Sequence, residues 1–192
     1  MLDLRVEGVL LCNPWGLSST TELERFRQSQ IPVVSLSGAQ LAGVSQVRSD
    51  VRQGMFDLTQ HLLRLGYRRL TLLTSEVGKE KDAFGHWPMS WPAAERVAIF
   101  RDATSRAGLD ETQSEVIYQP AVDNALSHAL SPYQAGKVAM KQILQRTERP
   151  QVVLCSNDDR AIGALTACAE AGLRVPEDIA ITGFDDSVVG GF

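Results

Sequence analysis

"VVLCSNDDRAIGALTACAEAGLRVPEDIAITGFDDS", residues 152–187, holds two short apolar runs separated by a helical stretch, and each run ends in polar or charged residues. Residues 151–156 and 179–184 read as strands buried on both faces, since apolar and β-branched residues follow one another without polar alternation. The stretch 157–172 between them offers Ser156 or Asn157 as a cap and ends on Gly172, which is how a helix begins and stops. Strand, helix and strand in this order imply parallel pairing through a right-handed crossover. In open sheets of that kind ligands bind beyond the carboxyl ends of the strands. Asn157 and Asp158 follow one such end, and Asp185 and Asp186 follow the next. If the strands are neighbours, their ends lie about 5 Å apart and the polar groups share one rim.

The same alternation runs through the rest of the chain. Residues 6–12, 31–36, 69–74 and 115–118 read as strands, and 21–30, 51–65, 93–108 and 132–146 as helices, the last opened by Pro132. On the helix 51–65 the expected apolar stripe is Met55, Leu58, Leu62 and Leu65. The polar stretch 37–48 has no sustained period and reads as a crossing between two lobes. The fold class is therefore α/β, with parallel sheets flanked by helices.

With 19 Lys and Arg against 23 Asp and Glu, the formal charge of −4 gives no basic excess for nucleic acid. Arg64, Arg68 and Arg69 fall at a helix end, where cations offset the dipole. Cys12, Cys155 and Cys168 form no C-x-x-C pair and lie in apolar segments, so reduced core thiols are expected. The opening run 6–12 is too short for a signal peptide or a membrane span, and the cytoplasm is the expected compartment.

Enzyme motifs are sparse. The Gly-Lys at 136–137 lacks a phosphate-binding loop, and His61, His86 and His128 lack metal-ligand spacing. Adjacent Asp185 and Asp186 point apart in an extended segment and make a poor glycosidase pair. A magnesium-dependent enzyme using Asp158 and Asp185 stays open as a minor reading. Each rim residue also has a structural reading: Asn157 and Asp50 can cap helices, Asp185 can turn the chain, and Arg96 can be a solvated helix residue.

In their order and spacing, "VEGVLL", "IPVVSL", "SDVRQGMFDLTQHLLRLGYRRLTLL", "ERVAIFRDATSRAGL" and the closing 152–187 segment resemble the effector-binding domain of LacI/GalR-type bacterial transcription regulators. The resemblance covers nearly the whole chain and implies a periplasmic-binding-protein-like fold of two α/β lobes. It implies a sugar or related metabolite as effector in a cleft, no cofactor, no catalysis, and a homodimer. Operator DNA would be read only through a helix-turn-helix outside this chain. Residue by residue, Asp50, Arg96, Asn157 and Asp185 match the ligand-binding positions. Trp87, Trp91 and Tyr133 are candidates to stack on the ligand. Paired acceptors and an arginine fork suit a polyol. On this reading 1–45 is a partial first lobe with two strands, 46–187 the second lobe, and 188–192 a truncated crossover. A solute-binding protein for transport, with the same cleft, is the alternative.

Overall fold

The computed structural model describes residues 6–12, 20–36, 41–75, 91–118 and 130–187. Their elements, in chain order, are β1 (Val9–Cys12), α1 (Thr20–Gln28), β2 (Val33–Leu36), β3 (Ser45–Val47), α2 (Val51–Arg64), β4 (Leu70–Thr74), α3 (Trp91–Arg106), β5 (Ser114–Tyr118), α4 (Pro132–Leu144), β6 (Val152–Cys155), α5 (Asp158–Glu170) and β7 (Ala180–Thr182). They form two compact units. The described residues up to Val51 belong to the first, and 52–75 with 93–187 to the second.

In the first unit, β1, β2 and β3 lie side by side in parallel, with Val9 opposite Val33 and Val34 opposite Ser45. Leu23 and Phe26 of α1, three residues apart, are both buried. The strand β3 corrects the reading of 37–48 as a mere connection. The polar triplet Ser-Gln-Val carries no hydrophobic alternation, and its strand character comes from hydrogen bonding to the edge of β2. The first sheet therefore has three described strands. Cys12, expected in the core, is exposed at the end of β1.

The second unit is a four-stranded parallel sheet in the order β5-β4-β6-β7, with Leu70 opposite both Ser114 and Val152, and Val152 opposite Ala180. All of β4 and β6 is buried, as continuous apolar runs in central strands should be. Alternate residues then serve opposite faces. Leu70, Leu72, Val152 and Leu154 pack with Met55, Leu62, Val97 and Phe100 of α2 and α3. Leu73, Val153 and Cys155 pack with Met140 and Ile143 of α4 and Ala164 and Cys168 of α5. Two helices cover each face, the arrangement of a doubly wound sheet.

The α2 stripe differs from the expected one. Met55, Thr59, Leu62 and Leu63 are buried, while Leu65 is 61% exposed. At 3.6 residues per turn Leu65 stands about 110° from the middle of that buried arc, so it faces water. Just beyond, Arg68 Nη1 donates to the carbonyls of Leu63 and Tyr67, both at 2.8 Å, closing the helix end as its charge suggested. On the other face α4 and α5 meet backbone to backbone. A Cβ at Gly136 would lie 2.2 Å from the Arg160 carbonyl oxygen, and one at Gly163 would lie 2.0 Å from that of Tyr133.

Candidate functional site

The carboxyl ends of β4, β6 and β7 bring together the second unit's functional candidates. β7 stops at Thr182, two residues earlier than its apolar run suggests, because 183–187 folds over as a turn. Asp185 has φ 125° and Asp186 φ 53°, conformations that cost an L-residue about 1–3 kcal/mol each. The turn is anchored at its far end, and approached closely at its near end, by Asp158, in the first turn of α5 and only 7% exposed. Its Oδ2 accepts the Ser187 N–H at 2.7 Å. Its Oδ1 occupies the space beside Gly183, where a Cβ would lie 2.2 Å away.

Between these ends the Phe184 ring packs against α2 at Gly54, where a Cβ would come within 3.1 Å of the ring. On the ring's electron-rich face sits Arg96 of α3, its guanidinium carbon 5.0 Å from the centroid. Arg96 Nη2 also approaches Asp185 Oδ1, at 3.9 Å, too far for a direct hydrogen bond. The two side chains are unequally sheltered, Arg96 13% exposed and Asp185 51%. Burial lowers the Arg96 pKa, and Asp185 and Glu95 pull it back up. Burial likewise raises the Asp185 pKa; Arg96 opposes this, and Asp158 and Asp159 add to it.

The pair leaves hydrogen-bonding capacity unused. Arg96 Nε is buried with no partner among the described residues, and so are the hydroxyls of Thr74, Thr182 and Ser187. Thr74 ends β4 and Thr182 ends β7, so these orphans gather at one end of the sheet. Buried polar atoms are normally paired, and a group of unpaired ones at the rim is what a polar ligand or bound water would satisfy.

Asn157 fulfils its capping reading. Its Oδ1 accepts the Arg160 N–H at 3.0 Å and caps α5. Its amide nitrogen is left with donors that no described side chain takes. Asp50 is exposed immediately before α2 and belongs to the first unit. Tyr133, in the first turn of α4, donates from its hydroxyl to Thr166 Oγ1 at 3.4 Å, about 12 Å along α5 from Asp158. The helix α4 starts with a capping box in which Ser131 and Gln134 satisfy each other. Trp87 lies outside the described residues, and Trp91 opens α3.

Sequence reasoning missed Phe184 as the platform beneath Arg96, Asp158 as the anchor of the turn, and buried Arg160, whose Nη1 donates to Ser156 Oγ at 3.2 Å. The close glycines were the available signal, since Gly54 and Gly183 stand where neighbouring side chains arrive. For the magnesium reading, one oxygen of Asp158 is already committed to Ser187. Among the described residues no group of three or more His, Cys, Asp and Glu is placed to hold a metal ion. No described helix is long and apolar enough to cross a membrane.

A doubly wound parallel sheet with polar anchors at its carboxyl rim defines the class, and the chain belongs to the periplasmic binding protein-like domain family, whose model matches residues 59–191. Its relatives are LacI-family transcription regulators. The chain is 30% identical over 183 residues to the HTH-type transcriptional repressor PurR of Haemophilus influenzae, covering 95% of this chain and 48% of that protein. It is 30% identical over 194 residues to the ribose operon repressor of Escherichia coli K12, covering 100% of this chain and 52% of the repressor. The chain spans about half the length of the curated relatives it matches. Among solved structures, a LacI transcriptional regulator from a Rhodococcus species superposes with a TM-score of 0.73 at 26% identity, covering 100% of this chain and 62% of that one. A LacI family regulator from Enterococcus faecium with bound ribose shares the fold, with a TM-score of 0.74 at 20% identity, covering 96% of this chain and 60% of that one.

Proposed function

We propose that this chain is the effector-sensing part of a LacI-type transcriptional regulator, and that Arg96, Asp185 and Asn157 bind a neutral polyhydroxyl metabolite, a sugar in the first instance. The observation that carries the reading is the Arg96–Asp185 pair, held 3.9 Å apart over Phe184 beside buried hydroxyls that have no partner among the described residues. Asp185 accepts from ligand hydroxyls, Arg96 donates through its planar fork, and the Asn157 amide donates while its oxygen caps α5. The likeness to a ribose operon repressor makes ribose the first sugar to test.

The family resemblance adds Asp50 as a further acceptor and Trp87, Trp91 and Tyr133 as stacking rings. It also gives the remaining terms of the proposal: two lobes; a homodimer in the cytoplasm; operator DNA contacted through a helix-turn-helix; no catalysis. Repressors among the relatives favour regulation over transport.

Calorimetric titration of the 192-residue chain with pentoses, hexoses and nucleosides tests the reading. One of them is expected to bind, and Asp185→Ala and Arg96→Ala are each expected to abolish the heat. Unchanged affinity in both variants would overturn the site.

A further inference from the structure

We infer that Asp158 is a positioning residue that holds Asp185 apart from Arg96, acting through the backbone of the 183–187 turn without touching ligand. The inference rests on Arg96 and Asp185 being the ligand-binding pair.

An aspartate in the first turn of a helix ordinarily faces the helix's own N–H groups. Here the carboxylate of Asp158 is turned toward the end of β7, where it receives the Ser187 N–H at 2.7 Å and fills the space that the missing Cβ of Gly183 leaves. One side chain therefore bonds to the far end of the turn and packs against its near end, while the middle residues, Asp185 and Asp186, have positive φ. Left alone, a turn with that backbone relaxes toward ordinary φ values. An Asp185 free to move would close on Arg96 to the 2.7–2.9 Å usual for a charged hydrogen bond. At 3.9 Å neither group is used up by the other, and both keep their capacity for a ligand. The charged groups that act on Asp185 are Arg96 of α3 and Asp158 and Asp159 of α5.

The experiment compares wild type with Asp158→Ala and Asp158→Asn, following amide exchange of Ser187 and the titration of Asp185 by carboxyl carbon NMR. Asparagine can still accept the Ser187 N–H; alanine cannot. In Asp158→Ala, Ser187 is expected to exchange about 10- to 100-fold faster, as loss of a charge-assisted bond predicts, and Asp185 is expected to titrate at lower pH because it now pairs with Arg96. In Asp158→Asn the Ser187 protection should stay within about threefold of wild type, and the Asp185 midpoint should fall less than in the alanine variant. Unchanged Ser187 exchange in Asp158→Ala overturns the inference, as does an Asp185 midpoint that falls no further in Asp158→Ala than in Asp158→Asn. If the alanine variant does not fold, Asp158→Leu, which has similar volume and cannot accept the Ser187 N–H, takes its place with the same expectations. Neither readout uses a ligand, so failure of D-ribose to bind wild type would count against the sugar reading and leave the positioning role standing.

Discussion

Replacing Arg96 with methionine separates a ligand-binding arginine from a structural one. Methionine keeps an unbranched apolar stem over the Phe184 ring and adds a sulfur–aromatic contact of about 0.3–1.5 kcal/mol. Lost are the cation–π term, about 0.5–1 kcal/mol at a partly exposed ring, and the ion pair. With Asp185 half exposed and the charges 3.9 Å apart, solvent screening leaves that pair at most about 0.5 kcal/mol. Removal of a buried Nε that has no partner among the described residues returns about 1–3 kcal/mol. These terms sum at mid-range to a gain of about 2 kcal/mol, so the ligand-free variant should be at least as stable as wild type, by up to about 4–8 °C in Tm.

The effect on binding is expected to run the other way. Two charge-assisted hydrogen bonds lost together weaken binding about 100-fold or more. A sugar present at 100 times the wild-type Kd stabilises wild type by about 2.7 kcal/mol, and the variant by about 0.4 kcal/mol. Thermal unfolding with and without D-ribose reads both quantities. A variant that loses more than about 3 kcal/mol without ligand would make Arg96 a structural residue and refute the reasoning. A variant that keeps the full ligand-induced shift would refute it equally.

Three further outcomes follow from the packing and charge of the second unit and the exposure of Cys12. In a thiol titration with dithionitrobenzoate, exposed Cys12 should react quickly, while Cys155, pushed up to about 12 by burial, and buried Cys168 react only on unfolding; fast reaction of all three would contradict the core packing. Gly163→Ala drives a methyl group into the Tyr133 carbonyl and should cost about 2 kcal/mol net of helix propensity, some 4–8 °C in Tm; a change within the error of the melt would show that α4 and α5 can move apart. Since the Asp185 pKa is raised, its proton is held more tightly in the folded state, so its charge opposes folding above that pKa and the opposition is relieved as pH falls through it. Sugar affinity should fall in that same window, which is shifted upward from that of an ordinary aspartate, and Asp185→Asn should remove the pH dependence; an equal dependence in wild type and variant would move the titrating group elsewhere.

Much of the site was legible because its residues lie close to the strand ends that position them. Continuous apolar runs at 151–156 and 179–184 required neighbouring central strands, and the residues just after them had to reach the carboxyl rim, so Asn157 and Asp185 could be placed there from order alone. Arg96 was harder, since α3 reaches the rim only after a long intervening stretch, and its contact with Asp185 rests on a separation of 89 positions in the chain. Chain order brought the start of its helix, which follows the strand 69–74, to the same rim, and the resemblance supplied the match to a ligand-binding arginine. Tyr133 came from the resemblance as well, and its hydroxyl contact with Thr166 of α5, 33 positions away, is one that no local pattern records.

The sequence by itself determined the alternation of strands and helices, the parallel sheet and the end at which a polar ligand would be met, because hydrophobic period and chain direction settle those within a few residues. It did not determine that Ser45–Val47 is a strand, that Leu65 faces water, or that Cys12 is exposed. Only the tertiary structure decided those, together with the roles of Phe184 and Asp158. Strand pairing at an edge, the centre of a buried arc and the two ends of one turn are relations between residues brought together by packing, and no local period records them.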